Sequence, residues 1–102
     1  MIKVSAMYPY TEGKRFDIDY YRNKHIPMVK EAMGDACRGI SLDVGIGGRA
    51  PGSPAPYVAI AHMLFDSLDA FRAAFGPHAA RLSGDAPNYT DIAPQMQISE
   101  TE

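Results

Sequence analysis

The chain has 102 residues, enough for one domain and too few for two. Hydrophobic residues at 46% and charged residues at 22% are globular proportions and exclude a disordered chain. Ten basic and twelve acidic side chains leave a formal charge of -2, which excludes the basic footprint of a nucleic-acid binder or an anionic-membrane binder.

Ile2 to Tyr8 is rich in β-branched and aromatic residues and is stopped by Pro9, so a strand is expected there. The same stretch lacks the apolar run and small-residue cleavage site of a signal peptide, so a reduced, cytoplasmic setting is expected. A lone Cys37 fits that setting and allows neither an internal disulfide nor a multi-cysteine zinc site. After the polar loop from Thr11 to Arg15, Asp17 is placed to cap a helix that starts at Ile18 and ends at Gly34. Pro27 lies inside this helix and should kink it near His25 and Ile26. Alternation of Ile40, Leu42, Val44 and Ile46 predicts a second strand over residues 40–46. Residues 47–56 hold three glycines and three prolines and predict a loop.

Tyr57 to Phe65 is almost continuously apolar and reads as a central strand covered on both faces. Its nine residues, with His62 among them, are too few to span a membrane. Asp66 is placed to cap the next helix, with Asp69 three residues on. Leu68, Phe71 and Phe75 follow at helical spacing, and Gly76-Pro77 ends that helix. Pro77 then opens a short helix reaching Leu82, and residues 85–88 form a turn. A last strand is expected from Gln95 to Ser99, with Met96 and Ile98 on one face. The order β-α-β-β-α-(α)-β gives a ferredoxin-like α+β domain over residues 1–102, with a four-stranded antiparallel sheet and both helices on one face. The third strand, however, is apolar on both parities. Helices cover only one face, so a second copy packed sheet against sheet, a homodimer, is expected to cover the other.

His25 is the most informative position. Ile18, Tyr21, His25, Met28, Val29 and Ala32 fall within about one third of the helix circumference, at about 100° per residue, and His25 points toward the sheet. An inward histidine is either a satisfied structural residue or a general base whose apolar surroundings favour the neutral imidazole. His62 is either internally hydrogen-bonded or, if its strand face meets the helices, a second residue in the same cavity as His25. Tyr21 shares the face of His25 and is the candidate to orient a substrate oxygen. Tyr8 and Tyr89 are placed at a cavity rim, Tyr20 should face outward, and His78 should be solvated. The aspartates 17, 66 and 69 are explained as caps, and Cys37 as a buried inert thiol. No dinucleotide fingerprint, metal-ligand spacing or nucleophile elbow is present, so neither a cofactor nor a metal is expected.

The runs Phe16-Asp17-Ile18-Asp19-Tyr20-Tyr21 and His25-Ile26-Pro27-Met28-Val29 resemble the first-helix signature of EthD-domain proteins. The resemblance continues through residues 52–59, Phe71 to His78, Asn88 to Asp91 and Gln97 to Ser99, covering most of the chain in matching order. It implies a ferredoxin-like fold that pairs into a dimeric α/β barrel, with a cavity between sheet and helices. The family is named for a role in ethyl tert-butyl ether degradation beside an oxygenase, and its members are often labelled oxidoreductases. Relatives with the same barrel include cofactor-free monooxygenases, cyclases, lactone isomerases and haem-degrading enzymes. The expectation is therefore a cofactor-independent oxidoreductase, isomerase or cyclase for a hydrophobic, aromatic or polyketide-like molecule, an acid or a phenol. In it His25 is the base, and Tyr21, His62, Tyr8, Tyr89 and Met28 contact the substrate. The alternatives are a metabolite-binding accessory protein for a partner oxygenase and, third, a haem-binding monooxygenase-like protein.

Overall fold

The computed structural model describes all residues, 1–102. Four antiparallel strands, β1 (Ile2–Pro9), β2 (Cys37–Val44), β3 (Tyr57–Phe65) and β4 (Gln95–Glu100), lie in the order β2-β3-β1-β4. The first crossover is one continuous helix made of α1 (Ile18–Tyr20), a π-helical turn (Tyr21–His25) and α2 (Ile26–Met33). The second holds α3 (Leu68–Phe75) and α4 (Ala79–Gly84), joined by a 3₁₀ turn that contains Pro77. This is the expected ferredoxin-like order, with the helices on one face of the sheet. No helix is long and apolar enough to cross a membrane.

Alternation along β3 decides what faces the helices. Ala59, Ala61, Met63 and Phe65 point inward and are buried, whereas Val58, Ile60, His62 and Leu64 lie on the open face and are only half-buried. Val4 sits opposite Met63 on one neighbour and Ile98 on the other, which brings Val4 to the sheet centre. Two apolar clusters result. One joins Val4, Met63 and Phe65 to Val29 and Met33 of α2, Phe71 of α3 and Leu82 of α4. Full burial of a side chain such as Phe65 stabilises the fold by about 1.5–3 kcal/mol. The second cluster gathers Tyr8, Tyr21, Ala59, Ala61, Tyr89 and Ile92 toward the other end of the sheet.

Two local expectations are corrected. The second strand runs from Cys37 to Val44, not over residues 40–46. Gly34, at φ +58°, turns the chain directly into a 3₁₀ turn and the strand, and the strand ends where the hairpin backbones close on each other. A Cβ on Gly45 would overlap the Tyr57 carbonyl oxygen, so only glycine fits, and Ile46 beyond it is fully exposed. The cap of α3 is Ser67, whose hydroxyl accepts from the Ala70 backbone N–H at 3.1 Å. Asp66 instead binds Arg38 in a two-pronged ion pair, with contacts of 2.8 and 3.2 Å. The proline effect also takes a specific form. The Pro27 ring would clash with the carbonyl one α-turn back, and the chain widens into the π-helical turn immediately before it.

Candidate active site

The helix that carries the site begins at Asp17, whose carboxylate accepts from the Tyr20 backbone N–H at 3.0 Å. From there the widened turn lets the Ile26 N–H donate to the Tyr21 carbonyl, five residues back. Tyr21 and His25 stay on one face through this turn. Their rings stack at 5.2 Å between centroids and 16° between planes, and both side chains are buried.

His25 has one partner, Asp85, whose carboxylate oxygen Oδ2 lies 2.9 Å from Nδ1. The two residues are 7% and 8% exposed. The other carboxylate oxygen of Asp85 accepts from the Tyr20 hydroxyl at 2.8 Å and from the Asn88 amide at 2.9 Å. Burial alone would raise the Asp85 pKa, but hydrogen bonds from Asn88, His25 and Tyr20 outweigh it and hold the carboxyl below its ordinary value. Asp85 is therefore ionised at neutral pH and can only accept, so Nδ1 must carry the hydrogen. In the neutral imidazole this leaves the lone pair on Nε2. That nitrogen has no hydrogen-bond partner in the protein, yet no buried side-chain nitrogen or oxygen is left unpaired, so Nε2 is open to the cavity that His25 lines.

The cavity measures about 210 Å³ and lies between the sheet and the helices. Thirteen of its 16 lining residues are hydrophobic, including Ala61 and Met63 from the sheet and Val29, Phe75 and Leu82 from the helices. Its polar groups are the tyrosine hydroxyls, the His25 ring and Ser83. The hydroxyls of Tyr8 and Tyr89 meet at 2.8 Å, and the rings of Tyr8, Tyr21 and Tyr89 pack edge to face at 4.8–6.0 Å. Burial pushes the Tyr21 phenol strongly upward, reinforced by Tyr8, and burial with the Tyr8 hydrogen bond does the same for Tyr89. Both stay protonated through the physiological range and act as neutral donors. No group of three His, Cys, Asp or Glu side chains is arranged to hold a metal ion.

Four of the expected site residues thus come together: His25, Tyr21, Tyr8 and Tyr89 line one cavity. Two do not. His62 is on the opposite sheet face, where Nδ1 meets the Ser5 hydroxyl at 2.8 Å and Nε2 meets Asp43 at 3.2 Å. A shared cavity with His25 is therefore ruled out by strand parity. Met28 does not line the cavity either; it packs against the cluster around Val29 and Met33. Tyr20, expected to face outward, turns back to Asp85 and stacks on Tyr89 at 6.2 Å. His78 is half-buried rather than solvated, as is Cys37 rather than buried. Asp85 itself carried no signal that a sequence reading could use. It sits in a turn-like stretch 60 residues from His25, and only the folded chain brings the two together.

The EthD domain family model matches residues 12–93, a span that includes the whole helix bearing His25 and the turn bearing Asp85. The chain belongs to the EthD family. Among solved structures, an EthD-like protein from Ralstonia eutropha JMP134 is 50% identical with a TM-score of 0.93, over 97% of this chain and 89% of that one. An ethyl tert-butyl ether degradation (EthD) family protein from Bacillus halodurans C-125 is 19% identical with a TM-score of 0.69, over 100% and 99% of the two chains. A candidate antibiotic biosynthesis monooxygenase from Bordetella bronchiseptica shares the fold at 15% identity and a TM-score of 0.62, over 99% and 96%. No curated protein matches the chain. EthD membership thus fixes the family, and the likeness to the Bordetella protein shows a shared fold.

Proposed function

We propose that this EthD-family chain is a small enzyme that removes a proton from a hydrophobic small molecule, with His25 as general base. The observation that carries this reading is the His25–Asp85 pair: Nδ1 is held at 2.9 Å by a buried carboxylate while Nε2 is left open to an apolar cavity. In this arrangement Nε2 accepts the proton, and Asp85 stabilises the imidazolium that forms. The negative charge left on the substrate moves to an oxygen, where the protonated phenols of Tyr21 and of the Tyr8–Tyr89 pair donate to it. The enolate or phenolate so formed is the common starting point for isomerisation, cyclisation or electron donation to molecular oxygen.

The test is exchange of an acidic C–H for solvent deuterium, followed by NMR, on a panel of apolar hydroxyaromatic and 1,3-dicarbonyl compounds. The native chain should catalyse exchange in at least one of them, and His25→Ala should slow it by about 100-fold or more. An unchanged rate removes His25 as the base. Saturable binding with no exchange in the native chain would instead favour a carrier role beside an oxygenase.

The working unit we infer is a homodimer closed over the open sheet face. That face presents Met7, Val58, Ile60 and Leu64, all half-buried in one chain, beside the Ser5–His62–Asp43 hydrogen-bond chain. Burying this stripe against its own copy removes apolar surface that the helices cannot reach.

A further inference from the structure

We propose that the cavity selects substrates that enter uncharged, namely hydroxyaromatic or enolisable carbonyl compounds of one or two rings, and rejects carboxylates. This rests on the proton-abstraction reading and narrows its substrate.

The charge inventory is decisive. No lysine or arginine lines the cavity, so a ligand carboxylate would find no permanent cation there. Directly behind the cavity's histidine is Asp85, held as an anion by Tyr20, Asn88 and His25. An anionic ligand would be desolvated in apolar surroundings next to a second negative charge, and both effects oppose binding. A neutral ligand avoids both. When it gives its proton to Nε2, the C–H or O–H electron pair stays on the substrate. The new imidazolium is balanced by Asp85, and the total charge of the site is unchanged. Negative charge therefore develops only during the reaction, at the tyrosine end.

The hydrogen-bond inventory agrees. The hydroxyls of Tyr8, Tyr21 and Tyr89 form an open chain through Tyr8 that uses at most two of their three hydrogens, which leaves at least one to offer a ligand. Beside it is the Nε2 lone pair, an acceptor, on a ring 4.7 Å from that of Tyr89 and 5.2 Å from that of Tyr21. A ligand that satisfies both ends carries an oxygen to accept from a phenol and an acidic hydrogen to offer the imidazole. Phenols and 1,3-dicarbonyl compounds have that pair of functions, and neither needs a charge. Size sets the ring count, because about 210 Å³ is smaller than the roughly 300–1,000 Å³ of pockets for drug-sized molecules.

The test is calorimetric binding of 2-naphthol, benzoylacetone and 2-naphthoate to the full chain at neutral pH, with Met96→Arg as a second protein. Met96 lines the cavity and is 53% exposed, so it stands at the mouth and tolerates a charge without disturbing the core. At least one neutral probe should bind about 100-fold more tightly than naphthoate, and Met96→Arg should narrow that ratio to about tenfold or less. Naphthoate binding as tightly as the neutral probes overturns the proposal, as does failure of both neutral probes to bind at millimolar concentration. A ratio that Met96→Arg leaves unmoved overturns the electrostatic cause. These outcomes are separate from the exchange measurement. Selective neutral binding with exchange unaffected by His25→Ala removes the base and keeps the selectivity, and tight naphthoate binding with exchange lost in His25→Ala does the reverse.

Discussion

Replacing Asp85 by Asn probes the geometry most sharply, because it keeps the shape of the side chain and changes what it can accept. The native carboxylate takes three hydrogen bonds, from Tyr20 at 2.8 Å, Asn88 at 2.9 Å and His25 at 2.9 Å. An asparagine can keep its oxygen toward Tyr20 and Asn88, which turns its NH₂ toward Nδ1. Since NH₂ only donates, Nδ1 must then accept, and the imidazole hydrogen moves to Nε2. The cavity thereby loses its acceptor. Bonds to a charged partner contribute about 1.5–3 kcal/mol each and neutral ones about 1 kcal/mol. Weakening three of them, offset in part by easier burial of a neutral side chain, gives a net loss of about 2–3 kcal/mol. For a domain of this size that is a fall in Tm of about 10–20 °C. The comparable exchange in a serine-protease triad lowers kcat by about 10⁴-fold through the same tautomer change. A loss on the order of 10³–10⁴-fold in deuterium exchange is expected here. Nitrogen-15 NMR of the histidines reads the cause directly: Nδ1–H in the native chain, Nε2–H in Asp85→Asn. Finding Nδ1 still protonated in the variant, or exchange within tenfold of native, refutes the reasoning.

Acid should destabilise the fold through the same residue. The Asp85 carboxyl is held below its ordinary value of 3.8 when folded, so its contribution is complete above that value and disappears as pH falls through the lower folded value. Thermal melts of the native chain should therefore drop more steeply below about pH 4 than those of Asp85→Asn, and parallel curves would contradict the assignment. The open sheet face predicts a solution mass twice that of one chain at micromolar concentration by light scattering, shifted toward the single-chain mass by Ile60→Lys. A single-chain mass for the unmodified protein would remove the dimer.

Most of the architecture was legible because it depends on local signals. Pro9, Gly34, the glycine-proline stretch before Tyr57 and Gly76-Pro77 mark boundaries through backbone constraints that act within a few residues. β3 was read to its exact ends because both parities are apolar and both flanks carry turn residues. The second strand slipped because its limits are set across the sheet, by the bulge opposite Phe65 and the contact of Gly45 with Tyr57. Ser67 displaced Asp66 as the cap for a similar reason, since Arg38, 28 residues earlier on the neighbouring strand β2, holds the Asp66 carboxylate. The site was half legible. Helical spacing put Tyr21 and His25 on one inward face, and strand ends put Tyr8 and Tyr89 near a rim. Parity showed that His62 shares a face with Ile60 and Leu64 without telling which face the helices cover. Asp85, with Tyr20 and Asn88 around it, was beyond reach because the pairing spans 60 residues and no local pattern encodes it.

The central claim is that Nε2 of His25 receives a substrate proton inside the cavity beside the tyrosines. A crystal structure of the chain with the tightest-binding neutral probe tests it most directly. The account predicts the ligand oxygen within hydrogen-bond distance of a hydroxyl of Tyr8, Tyr21 or Tyr89, and its acidic atom within about 3.2 Å of Nε2. A ligand bound outside this cavity, or one that leaves Nε2 without a contact while Asp85 still holds Nδ1, would contradict it.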